Sequence, residues 1–546
     1  MLLDIKGLSE KYMMLLDVKD LSSLKTTAAV LVSLSFLSNS RQVLNVIRSQ
    51  LLFLHKFFGD FSFTPSVPFQ GRGSIAYPKY QAHGLLRLGN STRTTGSFMR
   101  NMVRNCFCTQ FPLLEKQFML KQIQVQLRCR IMTEGIGIDK RQKNGPNFEK
   151  SPIFIGAVSP MDGQTGISLA PNEVHTRQRR ALAHVFTNTA LLQQQDIMRS
   201  HVDKFVEKMK KMNTYTTFDM MGDLCFAEPF GCLDQGGATE WSKSVINVFK
   251  SASWDQSIRR VAGVNTWLQK LMVKLLIPSE AAAWRKTHFL NSREKTLRRL
   301  ADGDREHKDF IYHIVKNKEA KTSLSQTEII LNMVLLISAG TETTASLLTG
   351  WTYFICTHPK VYKRLTDEIR ERFNSELDIT WETVKDLPYL HATLSEALRL
   401  YSPAPANQQR IVPPGGSVID GHFVPGRTTV AVAPWAAVNS SLNFKYPQEF
   451  IPERWLGDER FANDKLNASQ PFSLGPRGCI GKNLSFFEMR LITSRLLWAF
   501  DISLVTTGEH GETNKLWDMN GAGKYMKVYQ TWNKPDLWVM LKEVPR

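Results

Sequence analysis

Apolar residues recur at helical spacing through most of the chain beyond residue 141, and at alternating spacing over only a few short stretches near its end. Residues 176–186 and 191–212 are predicted helices. A much longer helix is expected to start at Ser325, where Ser325 and Glu328 form a capping box, and to stop no later than Pro359. About 32 residues rising 1.5 Å each would cross a whole domain. Val361, Leu365, Ile369 and Phe373 then repeat every four residues on a charged background, the mark of an amphipathic surface helix. Pro388 opens a further helix over residues 389–400. Past Pro403 the pattern changes to strand-like pieces at 411–415, 418–424 and 428–432, broken by Pro-Gly and Gly-Gly turns, so a small sheet is expected there. A last helix over 482–500 and a last strand over 537–544 complete a mainly α fold with a small β-sheet.

Residues 60–140 show no sustained periodicity. Ahead of them, residues 27–37 and 51–58 are apolar but fall short of the roughly 20 residues that span a bilayer. A buried or amphipathic helix and an amino-terminal membrane anchor both fit this segment. The acidic residues Asp4, Glu10, Asp17 and Asp20 ahead of it argue against a cleaved secretory signal.

Composition narrows the class. The chain has 546 residues, 42% hydrophobic and 22% charged, which is globular. Seven cysteines (Cys106, Cys108, Cys129, Cys225, Cys232, Cys356 and Cys479) are few and odd in number, with no Cys-x-x-Cys pair, so neither a disulfide framework nor a structural zinc site is expected. The net charge of +19 raises nucleic acid as a partner, but residues 1–150 carry 21 Lys and Arg against 9 Asp and Glu without any nucleic-acid-binding signature. A basic flank beside an apolar segment suits an anionic membrane surface, and no nucleic-acid partner is expected.

The sharpest chemical signal is Phe472-Ser-Leu-Gly475-Pro-Arg477-Gly478-Cys479-Ile-Gly481, a Gly-rich loop that delivers one cysteine and runs directly into a helix. A helix amino terminus and free backbone amides stabilise a thiolate at neutral pH, and ligation to iron would complete that stabilisation. The glycines permit close backbone approach to a flat cofactor. Arg477 offers a fork suited to a carboxylate. An inert buried cysteine would be the ordinary reading of a lone Cys, but the flanking pattern opposes it.

This loop resembles the haem-binding loop of the cytochrome P-450 family at each defining position. Three further stretches match in the family's order. Glu396-Ala-Leu-Arg399 resembles the family's Glu-x-x-Arg, with Arg454 in Pro452-Glu453-Arg454-Trp455 as its partner, a structural trio. Ala339-Gly340-Thr341-Glu342-Thr343-Thr344, set mid-way along the long helix, resembles the stretch that distorts the helix over the haem. The resemblance implies catalytic roles for Thr343, as hydrogen-bond donor to dioxygen, and Glu342, as proton relay. A small-residue helix crossing with back-bonded threonines would use the same residues. His175-Thr-Arg-Gln-Arg179-Arg180 resembles Trp-x-x-x-Arg, with histidine where tryptophan is commoner.

The resemblance covers residues 141–546, including Phe218-Asp-Met-Met-Gly-Asp-Leu and Thr531-Trp-Asn-Lys-Pro-Asp-Leu-Trp-Val, and its texture is that of filamentous-fungal members active in secondary metabolism. It implies a single catalytic domain over 141–546, with haem b between the long central helix and the cysteine-loop helix. Residues 1–60 would be a membrane-association segment and 61–140 a divergent region. Cys479 would ligate the iron, and His175, Arg179, Arg410, Phe472, Arg477 and Gly481 would bind the cofactor. The implied activity is monooxygenation of a small apolar substrate by O2, with electrons from NADPH through NADPH-cytochrome reductase, at the cytosolic face of the endoplasmic reticulum membrane. Substrate contacts would come from residues 230–261, 333–343, 404–409 and 520–524. Non-hydroxylating haem-thiolate chemistry and a non-catalytic haem-binding pseudoenzyme are the alternatives.

Overall fold

The computed structural model describes residues 148–545 except 157, 210–215, 236, 304–306, 317–322, 420 and 518–525, so the amino-terminal segment, the divergent region and the turn at 520–524 lie outside the described residues. The helices that position the site are α1 (Asn172–Ala183), α2 (Gln195–Met209), α3 (Thr216–Phe226), α4 (Glu240–Ala262), α5 (Trp267–Leu276), α6 (Ser279–Ala301), α7 (Gln326–Thr357), α8 (Pro359–Arg372), α9 (Pro388–Leu400) and α10 (Lys482–Ala499).

The central helix α7 starts as expected. Ser325 accepts a hydrogen bond from the Glu328 amide at 3.1 Å and the Glu328 carboxylate accepts from the Ser325 amide at 3.0 Å. Thirty-two residues later His358 caps it and Pro359, which has no N–H to continue the ladder, opens α8. Glu328 also pairs with Arg177 of α1 and accepts from Gln178 at 2.9 Å, so the same cap ties α7 to α1. Among the described residues α7 is the one helix long and apolar enough to cross a membrane, but 72% of its apolar window is buried inside the protein, as befits a core helix.

Around α7 the core is closely packed. At Gly340 an added Cβ would meet the thioether end of the Met221 side chain, which would have to move aside, so α3 crosses α7 closely there. In α8, Val361, Leu365 and Ile369 are buried, as their spacing requires. Helices α4 and α6 run antiparallel: Ser251 receives a hydrogen bond from Arg285 at 3.1 Å, and Trp241 Nε1 donates to His288 Nδ1 at 3.1 Å.

The sheet content is small but divided differently from the expectation. Strands β1 (Glu149–Lys150), β2 (Arg410–Ile411) and β5 (Thr429–Val430) form one antiparallel sheet in the order β1-β2-β5, with Lys150 opposite Arg410. Residues 418–424, read as one strand, fold as a separate hairpin of β3 (Ser417–Ile419) and β4 (His422–Val424). Phe500, assigned to the last helix, instead begins β6 (Phe500–Leu504), which pairs with β9 (Val539–Glu543). The hairpin β7 (Lys527–Tyr529) and β8 (Thr531–Asn533) precedes β9.

Candidate active site

Cys479 sits between a short 3-10 turn, Gly475–Arg477, and the first turn of α10. The loop is pinned from within: the Cys479 amide donates to the Phe472 carbonyl at 2.8 Å and the Gly478 amide to the Gly475 carbonyl at 3.0 Å. Gly475 adopts φ +69°, a left-handed turn that favours glycine. Outside support comes from Arg179 on α1, whose Nη1 donates to the Gly478 carbonyl at 2.6 Å. Cys479 is exposed on its open face while protein atoms crowd its base. That burial pushes the thiol pKa up, against the Gly481 amide, which bonds the sulfur, and the charges of Arg179 and Lys482, which favour the thiolate. Gly481, the residue before α10, thus acts through its backbone. Phe472 packs with its ring centroid 5.3 Å from Phe486.

Beside the loop, positive charge gathers, with the Glu149 carboxylate opposing it in part at Arg477. His175, Arg179, Arg410 and Arg477 come together here, joined by Lys150, which the sequence reading passed over. Burial, then the charges of Arg477, Arg179, Lys150 and Arg410, hold the His175 pKa down at about 3. Burial, then Arg410 and Arg477, brings Lys150 to about 7, and its ammonium lies 4.1 Å from the Phe154 ring centroid. Arg477 is lowered to about 10, first by burial and then by Arg410. One of its nitrogens is satisfied, Nη2 donating to the Ala170 carbonyl at 2.7 Å and to Asn172 Oδ1 at 3.0 Å. Its Nε and Nη1, with Nη1 of Arg410 and Nδ1 of His175, are buried with no partner in the protein.

Buried donors without acceptors and like charges in contact are both costly. An anionic ligand relieves both. The two propionate carboxylates of haem b match the number and kind of these groups, so the residues present fit that cofactor. A Lys150→Met change is expected to accelerate haem transfer to apomyoglobin roughly tenfold, the loss of one charge-assisted contact. The apoprotein should melt no lower, because a repulsive neighbour has gone. Unchanged haem transfer would remove Lys150 from the site.

On α7, the helix is continuous through residues 339–344 rather than broken. The Thr343 hydroxyl donates back to the Ala339 carbonyl at 2.5 Å. Glu342 is buried and faces the carboxy-terminal segment: Lys534 Nζ lies 3.2 Å from its Oε1, and Ser346 Oγ donates to the same oxygen at 2.8 Å. Below this, Glu396 and Arg399 of α9 and Arg454 form a fully buried ion cluster, as expected for the structural trio. Lys150 and Lys534 are the site residues that the sequence left unmarked.

One cofactor answers unpaired cations with two carboxylates and a lone exposed sulfur with a metal, which makes this a haem-thiolate protein. The comparisons with known proteins agree. The sequence profile of the cytochrome P-450 family matches residues 140–522. A cytochrome P-450 monooxygenase named aba2, from Botryotinia fuckeliana, is 74% identical over 563 aligned positions covering 100% of both chains. ABA2 of Pyricularia oryzae is 58% identical over 420 positions, 74% of this chain and 80% of that one. The enzyme abl2 of Leptosphaeria maculans is 52% identical over 430 positions, 75% of this chain and 77% of its own. The chain belongs to the cytochrome P-450 family. It is a haem-dependent monooxygenase of filamentous-fungal type, and residues 1–139, outside the family profile, are matched in the Botryotinia relative.

Proposed function

We propose that this monooxygenase oxidises a small, mainly apolar molecule of secondary metabolism, with electrons passed from NADPH through NADPH-cytochrome reductase. The observation that carries the reading is the convergence of unpaired buried cations on a cysteine loop whose sulfur holds an amide hydrogen bond. Haem, when bound, supplies dioxygen activation and transfer of one oxygen atom to the substrate. The chain's residues do the rest. Cys479 ligates the iron, held in place by Arg179 and Gly481. His175, Lys150, Arg410 and Arg477 receive the propionates. Glu342 takes protons from the solvent side, where Lys534, with a side chain 21% exposed, touches both Glu342 and Ser346. The Thr343 hydroxyl, whose proton is committed to Ala339 in this state, becomes a donor to the oxygen site by rotating about χ1. This carboxylate and hydroxyl pair favours oxygen insertion over rearrangement chemistry.

Substrate contacts are assigned to residues 230–261, 333–343 and 404–409, stretches that carry partly exposed apolar side chains such as Phe230, Phe249 and Leu335. Turnover under 18O2 with the reductase and NADPH, on a panel of terpenoid, polyketide and indole compounds, is expected to yield a product carrying one 18O atom. A product that takes its oxygen from water, or NADPH-independent conversion, would refute oxygen insertion.

We place the protein at the cytosolic face of the endoplasmic reticulum membrane. Support comes from α5, whose exposed face carries Trp267, Lys270, Leu271, Lys274 and Leu275 at helical spacing while Gln269 is its buried residue. Trp267 is 63% and Leu275 59% exposed. Apolar side chains pointing outward among lysines suit the interface of an anionic bilayer. Replacing Trp267, Leu271 and Leu275 together by serine is expected to weaken sedimentation with anionic vesicles by about tenfold or more. Equal sedimentation would move the membrane contact elsewhere.

A further inference from the structure

A cavity lies beside the cysteine loop. It has a volume of 580 Å³ and shares residues 472–474 of the cysteine loop, yet none of Cys479, His175, Arg179, Arg410 or Arg477 lines it. Its walls come from the start of α10, the middle of α9 and the segment before α9. Lys385, Lys482 and Arg490 line it, and among all of its lining residues there is no aspartate or glutamate. The cavity therefore holds three formal positive charges and no negative one.

Within the cavity the cations rest on aromatic or neutral groups, and Asp386, the carboxylate that acts on Arg490, stands outside the lining. Arg490 lies 5.3 Å from the Phe486 ring centroid and Lys482 5.9 Å from that of Phe472. Arg490 Nη2 is 2.9 Å from Nδ1 of His391, and its Nε is buried with no partner in the protein. Burial, then Arg490 and Lys482, holds His391 down at about 4, so at neutral pH the imidazole accepts from Arg490 and adds no charge of its own. Trp381 and Trp455 supply further flat apolar wall. The indole N–H of Trp455 is spent on Glu396 at 2.9 Å, leaving the ring itself as the surface it can offer.

A flat apolar body and a single-ended negative charge meet every one of these features. The volume falls within the range of small-molecule pockets. Aromatic rings would stack on the indole and phenyl faces, and a carboxylate would take the unpaired Arg490 donor and the two lysines. We propose that this cavity is a binding site for a small aryl carboxylate, separate from the substrate pocket. Lys482, the first residue of α10 after the cysteine loop, is positive surface that an acidic electron donor would meet as well, so an occupied cavity removes positive charge there and slows reduction of the enzyme. The cavity argument stands on its own geometry, independent of the reading of substrate or reductase.

The test uses the full-length, haem-loaded protein and 2-naphthoate, with 2-naphthalenemethanol as its neutral counterpart. Calorimetric titration is expected to give one site for naphthoate, binding at least about tenfold tighter than the alcohol, with no displacement of the Soret band. In Lys385→Gln/Lys482→Gln, where both exposed lysines are replaced without touching the core, naphthoate affinity should fall roughly tenfold. Arg490→Lys, which keeps the charge and loses the fork, should weaken it by a smaller factor. Equal affinity for the alcohol, unchanged affinity in the double variant, or a Soret shift that saturates with binding would each overturn the site. So would absence of naphthoate binding accompanied by slower reduction of the double variant by an acidic donor protein, which would assign the cations to a protein partner alone.

Discussion

Replacing Cys479 by alanine is expected to erase the strongly red-shifted Soret band that carbon monoxide gives the dithionite-reduced protein, and to bring NADPH-driven turnover to background. No other described cysteine can take its place. Cys225 and Cys232 are buried in the core among apolar side chains, and burial pushes the Cys225 thiol well above its ordinary range. Cys356 is partly buried, its thiol lies 3.8 Å from the Ile502 carbonyl, and burial raises it to about 12. Burial pushes the Cys479 thiol up as well, but among the described cysteines it alone stands at a helix amino terminus with an amide on its sulfur and two cations opposing that shift. The variant should keep its secondary structure by circular dichroism, because the loop is held by backbone bonds at Phe472 and Gly475 and by Arg179, none of which uses the sulfur. A red-shifted band surviving in the alanine variant would mean that a different residue ligates the iron and would dismantle the site.

Much of this arrangement was legible before any coordinates, because its signals are local. The capping box at Ser325 and Glu328, the prolines at 359 and 388, and the loop around Cys479 each state their structure within a few residues. The Glu396 and Arg399 pair announces itself by its spacing on one helix. What escaped was long-range. Lys150 lies on a two-residue strand whose significance comes from pairing with Arg410 far along the chain, and nothing near residue 150 marks it as part of a binding site. Lys534 likewise reaches Glu342 from a distant segment. The hairpin over 417–424 is the exception: its signal is the local Asp420-Gly421 dipeptide, which a single strand over 418–424 ignores. The helix ending at Ala499 passes into β6 without a helix-breaking residue, so the change from helical to alternating burial there shows only when the partner strand β9 is known.

The Glu396→Ala variant should lose about 3–5 kcal/mol of stability, and the physical cause can be followed bond by bond. The Glu396 carboxylate accepts from Arg399 Nε at 2.9 Å and Nη2 at 2.8 Å, from Arg454 Nε at 3.2 Å, from the Ile451 amide at 3.1 Å and from Trp455 Nε1 at 2.9 Å. Both partners of its two ion pairs are fully buried. Arg454 also pairs with buried Asp464, so four charges balance in the interior, and removing Glu396 leaves one positive charge with no counterpart. Arg399 further donates to the carbonyls of Val438, Pro447 and Glu449 at 2.9, 2.6 and 3.0 Å, which makes the cluster the clasp between α9 and the long loop that leads to Cys479. Loss of the clasp should therefore appear in two measurements at once: an apparent melting temperature lower by roughly 3–6 °C, and haem content falling with it because the cysteine loop is no longer held. Glu396→Asp keeps the charge but shortens the reach, and should lose less. An alanine variant that melts within a degree or so of the wild type would show that water enters to solvate the arginines, and the clasp would then owe its strength to Arg399 and the carbonyls it gathers.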